Sequence, residues 1–286
     1  MSANASPLVQ RRRLRAELRR ARQEVDLTQE TVAQAMDWSL SKIIRIETGS
    51  VGISTNDLSA LLRLYKIEDA GQINELVALA KASRRPSEYS QYREILSPVL
   101  FQFIEFETAA SAIRQYESLV VPGLLQTEAY ATSITRLYRS NPKPEEVQPR
   151  VEIRMRRQQL LFDQQDPPLS FFVLDEAVIQ RSMNDESTSK QQIAKLLHMA
   201  KSPNVTIEIV PFSAGLHGGM GENFTMLEFS DDDSILYFET AREFLFSKDD
   251  EDELVIYAEL FERLRGASLG PEGSIDYLAE AENALA

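Results

Sequence analysis

The chain of 286 residues has no cysteine and only two histidines, His198 and His217. Without thiols there are no disulfides, no thiolate metal sites and no cysteine nucleophile. With two histidines, a His-dependent zinc site or a Ser-His-Asp triad has almost nothing to draw on. No apolar run approaches the ~20 residues a bilayer span needs, and the opening MSANASPLVQRRR lacks the apolar stretch of a secretory signal. These absences read as a cytoplasmic chain with no membrane partner. Glycine clusters once, in Gly215-Leu216-His217-Gly218-Gly219-Met220-Gly221, which has neither the Lys-Ser/Thr of a phosphate loop nor a dinucleotide fingerprint between strand and helix. It reads as a mobile surface loop. Asp175 and Glu176 are adjacent, so they point to different faces and read as charge at a helix N-terminus rather than paired carboxylates. The acidic run Asp249 to Glu253 reads as a helix start, and His198, beside Leu196 and Leu197, as a partly buried packing residue. No constellation supports catalysis: the expectation is no enzyme, no cofactor and no metal.

What is present is globular in type, with 43% hydrophobic and 26% charged residues. The length favours two domains at roughly 100–200 residues each. The net charge of −13 hides an asymmetry: residues 1–85 carry 14 Lys/Arg against 10 Asp/Glu, a net +4, whereas residues 86–286 carry 17 against 34, a net −17. Between Arg11 and Arg22 seven arginines face only Glu17. A basic stretch on an acidic chain is the electrostatic footprint of a nucleic-acid-binding module joined to something else; a solvated helix face is the plainer alternative.

Leu14, Leu18 and Ala21 recur at helical spacing and predict a first helix over Arg11–Glu24 with an arginine-rich exterior. Thr28 caps a second helix, Gln29–Met36, with Val32, Ala33 and Met36 inward, and Asp37-Trp38 forms a turn. Ser39 is the next cap, and the third helix, Leu40–Glu47, buries Ile43, Ile44 and Ile46 before Gly49 ends it. A fourth helix begins near Thr55 with Leu58, Leu61, Leu62 and Leu64, and a fifth covers about Asp69–Ala82. Met36, Ile43 and Ile44 are assigned to the core, and Trp38 to core or rim packing. Five short helices with a tight turn between the second and third are the layout of a helix-turn-helix domain.

The run Leu27-Thr28-Gln29-Glu30-Thr31-Val32-Ala33, followed by Trp38-Ser39-Leu40-Ser41-Lys42-Ile43-Ile44-Arg45-Ile46-Glu47-Thr48-Gly49, resembles the signature of the λ-repressor/Cro (Xre) helix-turn-helix family. That resemblance implies double-stranded DNA as partner. Gln29 would bond the phosphate backbone beside the free N–H groups of Thr28 and the helix start. Ser39, Leu40, Ser41, Lys42 and Arg45 would enter the major groove: Lys42 and Arg45 donating to guanine, the serines bonding base or phosphate, Leu40 lying against a thymine methyl. Arg45 is the first choice for base readout, and Glu47 is read as structural. Arg11, Arg12 and Arg13 are either an arm on the minor groove or phosphates, or a solubilising tail.

Residues 86–98 read as a connector, so the expected organisation is 1–85 for the helical domain and 99–286 for a mixed α/β domain. In the latter, Ser118–Thr127 reads as a strand ending at a Pro-Gly turn that launches a helix through Arg139, followed by a helix over Pro144–Asp163. Leu169–Leu174 is a buried strand, Ser187–Ala200 a helix and Val205–Val210 a strand. Asn223–Phe229 and Ser234–Phe238 form a hairpin through Asp231–Asp233, and Asp250–Arg265 is a helix before a polar tail helix. The segments Val121-Pro122-Gly123-Leu124-Leu125-Gln126-Thr127, Arg154-Met155-Arg156-Arg157-Gln158, Leu174-Asp175-Glu176-Ala177, Pro203-Asn204-Val205-Thr206 and Pro211-Phe212 occur in the order seen in actinomycete-type Xre regulators, which this chain resembles over nearly its whole length. It departs from them at Tyr89-Ser90-Gln91-Tyr92 and at Arg242-Glu243-Phe244. Such regulators are described as antitoxin-like and are often encoded beside a small partner protein. The expectation is a homodimeric, sequence-specific transcription regulator; the alternatives are a small-molecule-responsive regulator and an antitoxin that holds a small protein from a neighbouring gene.

Overall fold

The computed structural model describes residues 7–48, 51–85, 87, 89–137, 143–181, 186–229, 234–239, 244–247 and 251–285. Gly49, the Asp231–Asp233 turn, Arg242-Glu243 and the first two residues of the acidic run at 249 lie outside the described residues. The chain divides into two compact units between Arg93 and Glu94.

The first unit is built from α1 (Pro7–Glu24), α2 (Gln29–Ala35), α3 (Leu40–Glu47), α4 (Thr55–Leu64) and α5 (Ala70–Ala82). Thr28, Ser39, Ser54 and Asp69 cap α2 to α5, each side-chain oxygen accepting the backbone N–H three residues on, which satisfies a donor the helix itself leaves open. Asp26, Asp37 and Lys66 adopt left-handed backbone (φ 54°, 54° and 58°) just past α1, α2 and α4, turning the chain out of each helix. One core forms inside, from Leu14, Leu18 and Ala21 of α1, Val32 and Ala33 of α2, Ile43 and Ile46 of α3, and leucines of α4 and α5. Trp38 and Met36 pack half-buried against it. Ile44 corrects the sequence expectation: its side chain is exposed, because residues 43, 44 and 46 span too wide an arc of one helix for all three to face inward. The first helix also begins a turn earlier than expected, so Arg11, Arg12 and Arg13 are helical residues and not a tail.

The second unit places a six-stranded mixed sheet among helices: α6 (Pro98–Glu107), β1 (Ala112–Glu117), α7 (Glu128–Leu137), α8 (Pro144–Phe162), β2 (Leu169–Asp175), α9 (Glu176–Gln180), α10 (Glu186–Ala200), β3 (Val205–Val210), β4 (Phe224–Glu228), β5 (Ser234–Glu239), β6 (Phe244–Ser247), α11 (Glu251–Ala267) and α12 (Gly270–Ala284). Strand order is β3-β2-β1-β4-β5-β6, with β1–β2 and β2–β3 parallel and the remaining pairs antiparallel. Tyr116, Val173, Phe224, Met226, Leu236 and Phe238 meet Phe261 and Leu264 of α11, while Tyr237, pointing to the opposite face, stacks on Phe103 of α6 at 4.1 Å between ring centroids. The free edge at β3 is closed by α12: the Ile209 N–H donates to Ser274 Oγ at 2.9 Å and the Ile209 carbonyl accepts from the Leu269 N–H at 2.9 Å.

Two expectations for this unit are overturned. The first strand is Ala112–Glu117, upstream of the Val120-Val121 run; the latter leads into a 3₁₀ turn at Gly123–Leu125. His198 is exposed on α10 rather than packed. The stretch 215–221 lies at the surface as expected, with Leu216 92% exposed, and approaches its neighbours closely at Gly218 and Gly219. A Cβ on Gly219 would stand 2.5 Å from Tyr116 Cζ and one on Gly218 2.5 Å from Leu260 Cδ1, so glycine is what lets this loop close on β1 and α11.

Candidate nucleic-acid interface

The turn between α2 and α3 is held from behind by one buried carboxylate. Glu47, at the last position of α3, receives Arg22 Nε at 2.7 Å and Arg22 Nη2 at 3.0 Å, while Arg22 Nη1 donates to the Leu27 carbonyl at 2.7 Å. Gln29 Nε2 donates to the same carboxylate at 2.8 Å. The Glu47 hydrogen bond raises the Arg22 guanidinium above its ordinary value, against the opposing effect of its burial. The charged fork therefore ties α1, the start of α2 and the end of α3 into one rigid piece, with Gln29 oriented by Glu47. In front of this network lies an open cleft of about 800 Å³ bordered by Arg19, Gln23, Thr28, Gln29 and Thr48. Arg19 is exposed on that border, a cation that attention to residues 11 to 13 missed.

Helical geometry orders the outward side chains of α3. At about 100° per residue, Leu40, Ile44, Ser41 and Arg45 occupy one arc of about 140°. All four are exposed. Its two flanks carry pinned charges. On one side stands Glu47; on the other Lys42, whose Nζ donates to Asp57 Oδ2 at 3.2 Å and sits 3.5 Å from the centroid of the Trp38 ring. Lys42 is thereby held against α4 and does not share the arc. Arg45 is the cation that does: among the described residues its guanidinium donates to the Ser41 carbonyl of its own helix alone, with Nε at 3.3 Å. Ser39 caps α3 through the Lys42 N–H at 3.2 Å and its Oγ lies 3.3 Å from Ser41 Oγ, so it belongs to the rim of the arc and holds the cap at once.

The arginines at the start of α1 are committed elsewhere. Arg11 Nη2 donates to the Ser83 carbonyl at 3.2 Å, Arg13 Nη2 pairs with Glu75 at 2.9 Å, and Arg12 is buried. Arg11 and Arg13 thus tie α1 to α5 and its cap rather than joining Gln29, Ser41 and Arg45. Arg15 caps the end of α3 by donating to the Thr48 carbonyl at 2.9 Å. Periodicity alone could have found this division, since Arg11 and Arg15 lie one turn apart on α1 and both flank the buried stripe.

The second unit holds two features of its own. His217 Nε2 lies 3.3 Å from Asp175 Oδ2, while Asp175 Oδ1 caps α9 by accepting the Ala177 N–H at 2.8 Å. The Glu176 carboxylate accepts from the Phe212 N–H at 2.6 Å and the Tyr277 hydroxyl at 2.9 Å. Both carboxylates therefore fasten the 211–217 segment and α12 to the end of β2. Burial pushes the Tyr116 hydroxyl beside them well above its ordinary range. A crevice of about 140 Å³ lies between Val121, Tyr130, Val178, Ile193, Leu196 and Leu285. Among the described residues no cluster of three or more His, Asp or Glu is placed to hold a metal ion, and no helix is long and apolar enough to cross a membrane.

A five-helix unit with a capped, tightly turned helix pair and one exposed helix face is a helix-turn-helix domain, and residues 13–76 match the model of a helix-turn-helix domain family. This is the module by which DNA-binding regulators touch DNA. Residues 100–280 match a domain of unknown function, DUF5753, over more than half of the chain, so the protein belongs to that family. No curated protein and no solved structure matches the chain.

Proposed function

We propose that the protein is a sequence-specific, DNA-binding transcriptional regulator of the Xre type, reading bases in the major groove with the exposed face of α3. The observation that carries the reading is that arc: Arg45 without an acidic partner among the described residues, Ser41 beside it, and pinned charges on both flanks. Arg19, Thr28 and Gln29 border the adjoining cleft, where a phosphate would meet the guanidinium and the start of α2. One such module covers too little DNA for operator affinity, so the reading includes a homodimer on two half-sites about one helical turn apart, with residues 94–286 as dimerisation and sensing part. No reaction is assigned to the chain.

Selection from sheared genomic DNA by the full-length protein tests this. The reading requires enriched fragments sharing a two-fold-symmetric motif; recovery of fragments with no common motif, at the level of a scrambled competitor, overturns it. A second reading, a small effector held in the second unit, is favoured by the crevice beside Val121 and Leu285. Its size is below the ~300 Å³ at which drug-sized ligand pockets begin, which limits the effector to a few heavy atoms. A metabolite screen that leaves the melting temperature unmoved counts against it.

A further inference from the structure

Within the first unit, the large hydrophobic side chains that stand exposed among the described residues are Leu40 and Ile44, at 36% and 39%. Scattered apolar residues on a surface carry no message. These two are not scattered: they lie four positions apart on one face of α3, directly beside Ser41 and Arg45. The interior of the unit is complete without them, since Ile43 and Ile46 fill the inward face of the same helix. An aliphatic side chain on a base-reading helix has one chemical partner in the major groove, the C5-methyl of thymine, which is the apolar group that a base edge presents there. Leu40 and Ile44 are about 6 Å apart along the helix, comparable with two base steps of about 3.4 Å along one strand.

We infer that Ile44, with Leu40, is a specificity-determining contact for thymine, so that each half-site carries thymines whose methyl groups seat on these side chains while Arg45 addresses a neighbouring base. This rests on the reading of α3 as the base-contacting helix, and adds to it what that helix selects. A cationic or hydroxylic side chain at position 44 would accept any phosphate or base acceptor within reach; isoleucine gains only where it displaces water from an apolar group. The structure thus assigns the choice of thymine to a residue that the sequence pattern had placed in the core.

The test uses duplexes enriched from a random-sequence library by the full-length protein, resynthesised with deoxyuridine in place of thymidine. Uracil pairs with adenine as thymine does and lacks only the methyl. Removing one buried methyl, at about 0.8 kcal/mol, weakens binding about fourfold. The wild-type protein is expected to bind the uracil duplex at least fourfold more weakly. Ile44→Ala is expected to bind the thymine duplex more weakly and to lose most of that ratio, whereas Arg45→Ala loses affinity and keeps the ratio. Because Ile44 is exposed, Ile44→Ala should unfold at the wild-type midpoint, which Trp38 fluorescence checks. Equal affinity of the wild type for both duplexes, or an undiminished ratio in Ile44→Ala, overturns the inference while leaving DNA binding intact. Failure to enrich any sequence overturns the DNA reading, and the thymine inference with it.

Discussion

Glu47→Gln keeps the shape of the buried side chain behind the helix-turn-helix and removes its charge. The side chains of Glu47 and Arg22 are 5% and 11% exposed, so the pair is largely shielded from water although both border the cleft. Taking one member from a buried ion pair costs about 3–5 kcal/mol, most of it the uncompensated charge left behind. For this 93-residue unit the total stability is on the order of 5–14 kcal/mol at about 0.05–0.15 kcal/mol per residue, so the substitution removes a large share of it. At about 4–8 °C per kcal/mol for a domain of this size, the midpoint should fall by about 12–40 °C. The assay is unusually clean, because the single tryptophan, Trp38, packs against the core of this unit and the second unit has none. Urea titration followed by Trp38 fluorescence would give the difference directly. Arg22→Met combined with Glu47→Leu, which removes both charges, should recover most of the loss. A Glu47→Gln protein within about 1 kcal/mol of wild type would refute the view that this network holds the turn together.

Two neighbouring isoleucines should behave in opposite ways in the same titration: Ile43→Ala, fully buried, should lose about 2–5 kcal/mol, and Ile44→Ala less than about 1 kcal/mol. Equal losses would contradict the helix phase described for α3. In the second unit, Gly219→Ala drives a Cβ into the Tyr116 ring and should destabilise by about 1–3 kcal/mol, while Gly221→Ala meets nothing within 4 Å and should leave the unit unchanged; circular dichroism melts of the two variants compare them. Coincident melts would mean that the glycine loop is not seated on β1.

The parts of the molecule that sequence made legible are those with local causes. The third helix begins where expected because Ser39 caps its N-terminus, and β3 has the bounds its alternating Val205–Val210 pattern suggests. The helix-turn-helix was legible because signature residues perform local tasks, with Thr28 and Ser39 as caps. What was hidden depends on distant partners. β1 reads Ala-Ile-Arg-Gln-Tyr-Glu, a polar string, yet Arg114 pairs with Glu228 at 2.7 Å and Glu262 at 2.7 Å, more than a hundred residues away. His217 was legible as a loop histidine but not as a partner of Asp175, 42 residues earlier in the chain. On α3, nothing local reveals Asp57 as the partner of Lys42, and Ile44 looked like core because hydrophobicity alone does not set helix phase.

The central claim, that the exposed face of α3 reads DNA, is tested most directly by the affinity of the full-length protein for its selected duplex and for a scrambled duplex at physiological salt, with and without Arg45→Ala. The wild type should prefer the selected duplex by at least about 10³-fold. Arg45→Ala should weaken that duplex by about 1–3 kcal/mol, roughly 5- to 150-fold, while binding to the scrambled duplex changes far less. Equal loss on both duplexes, or no loss on either, would contradict the account.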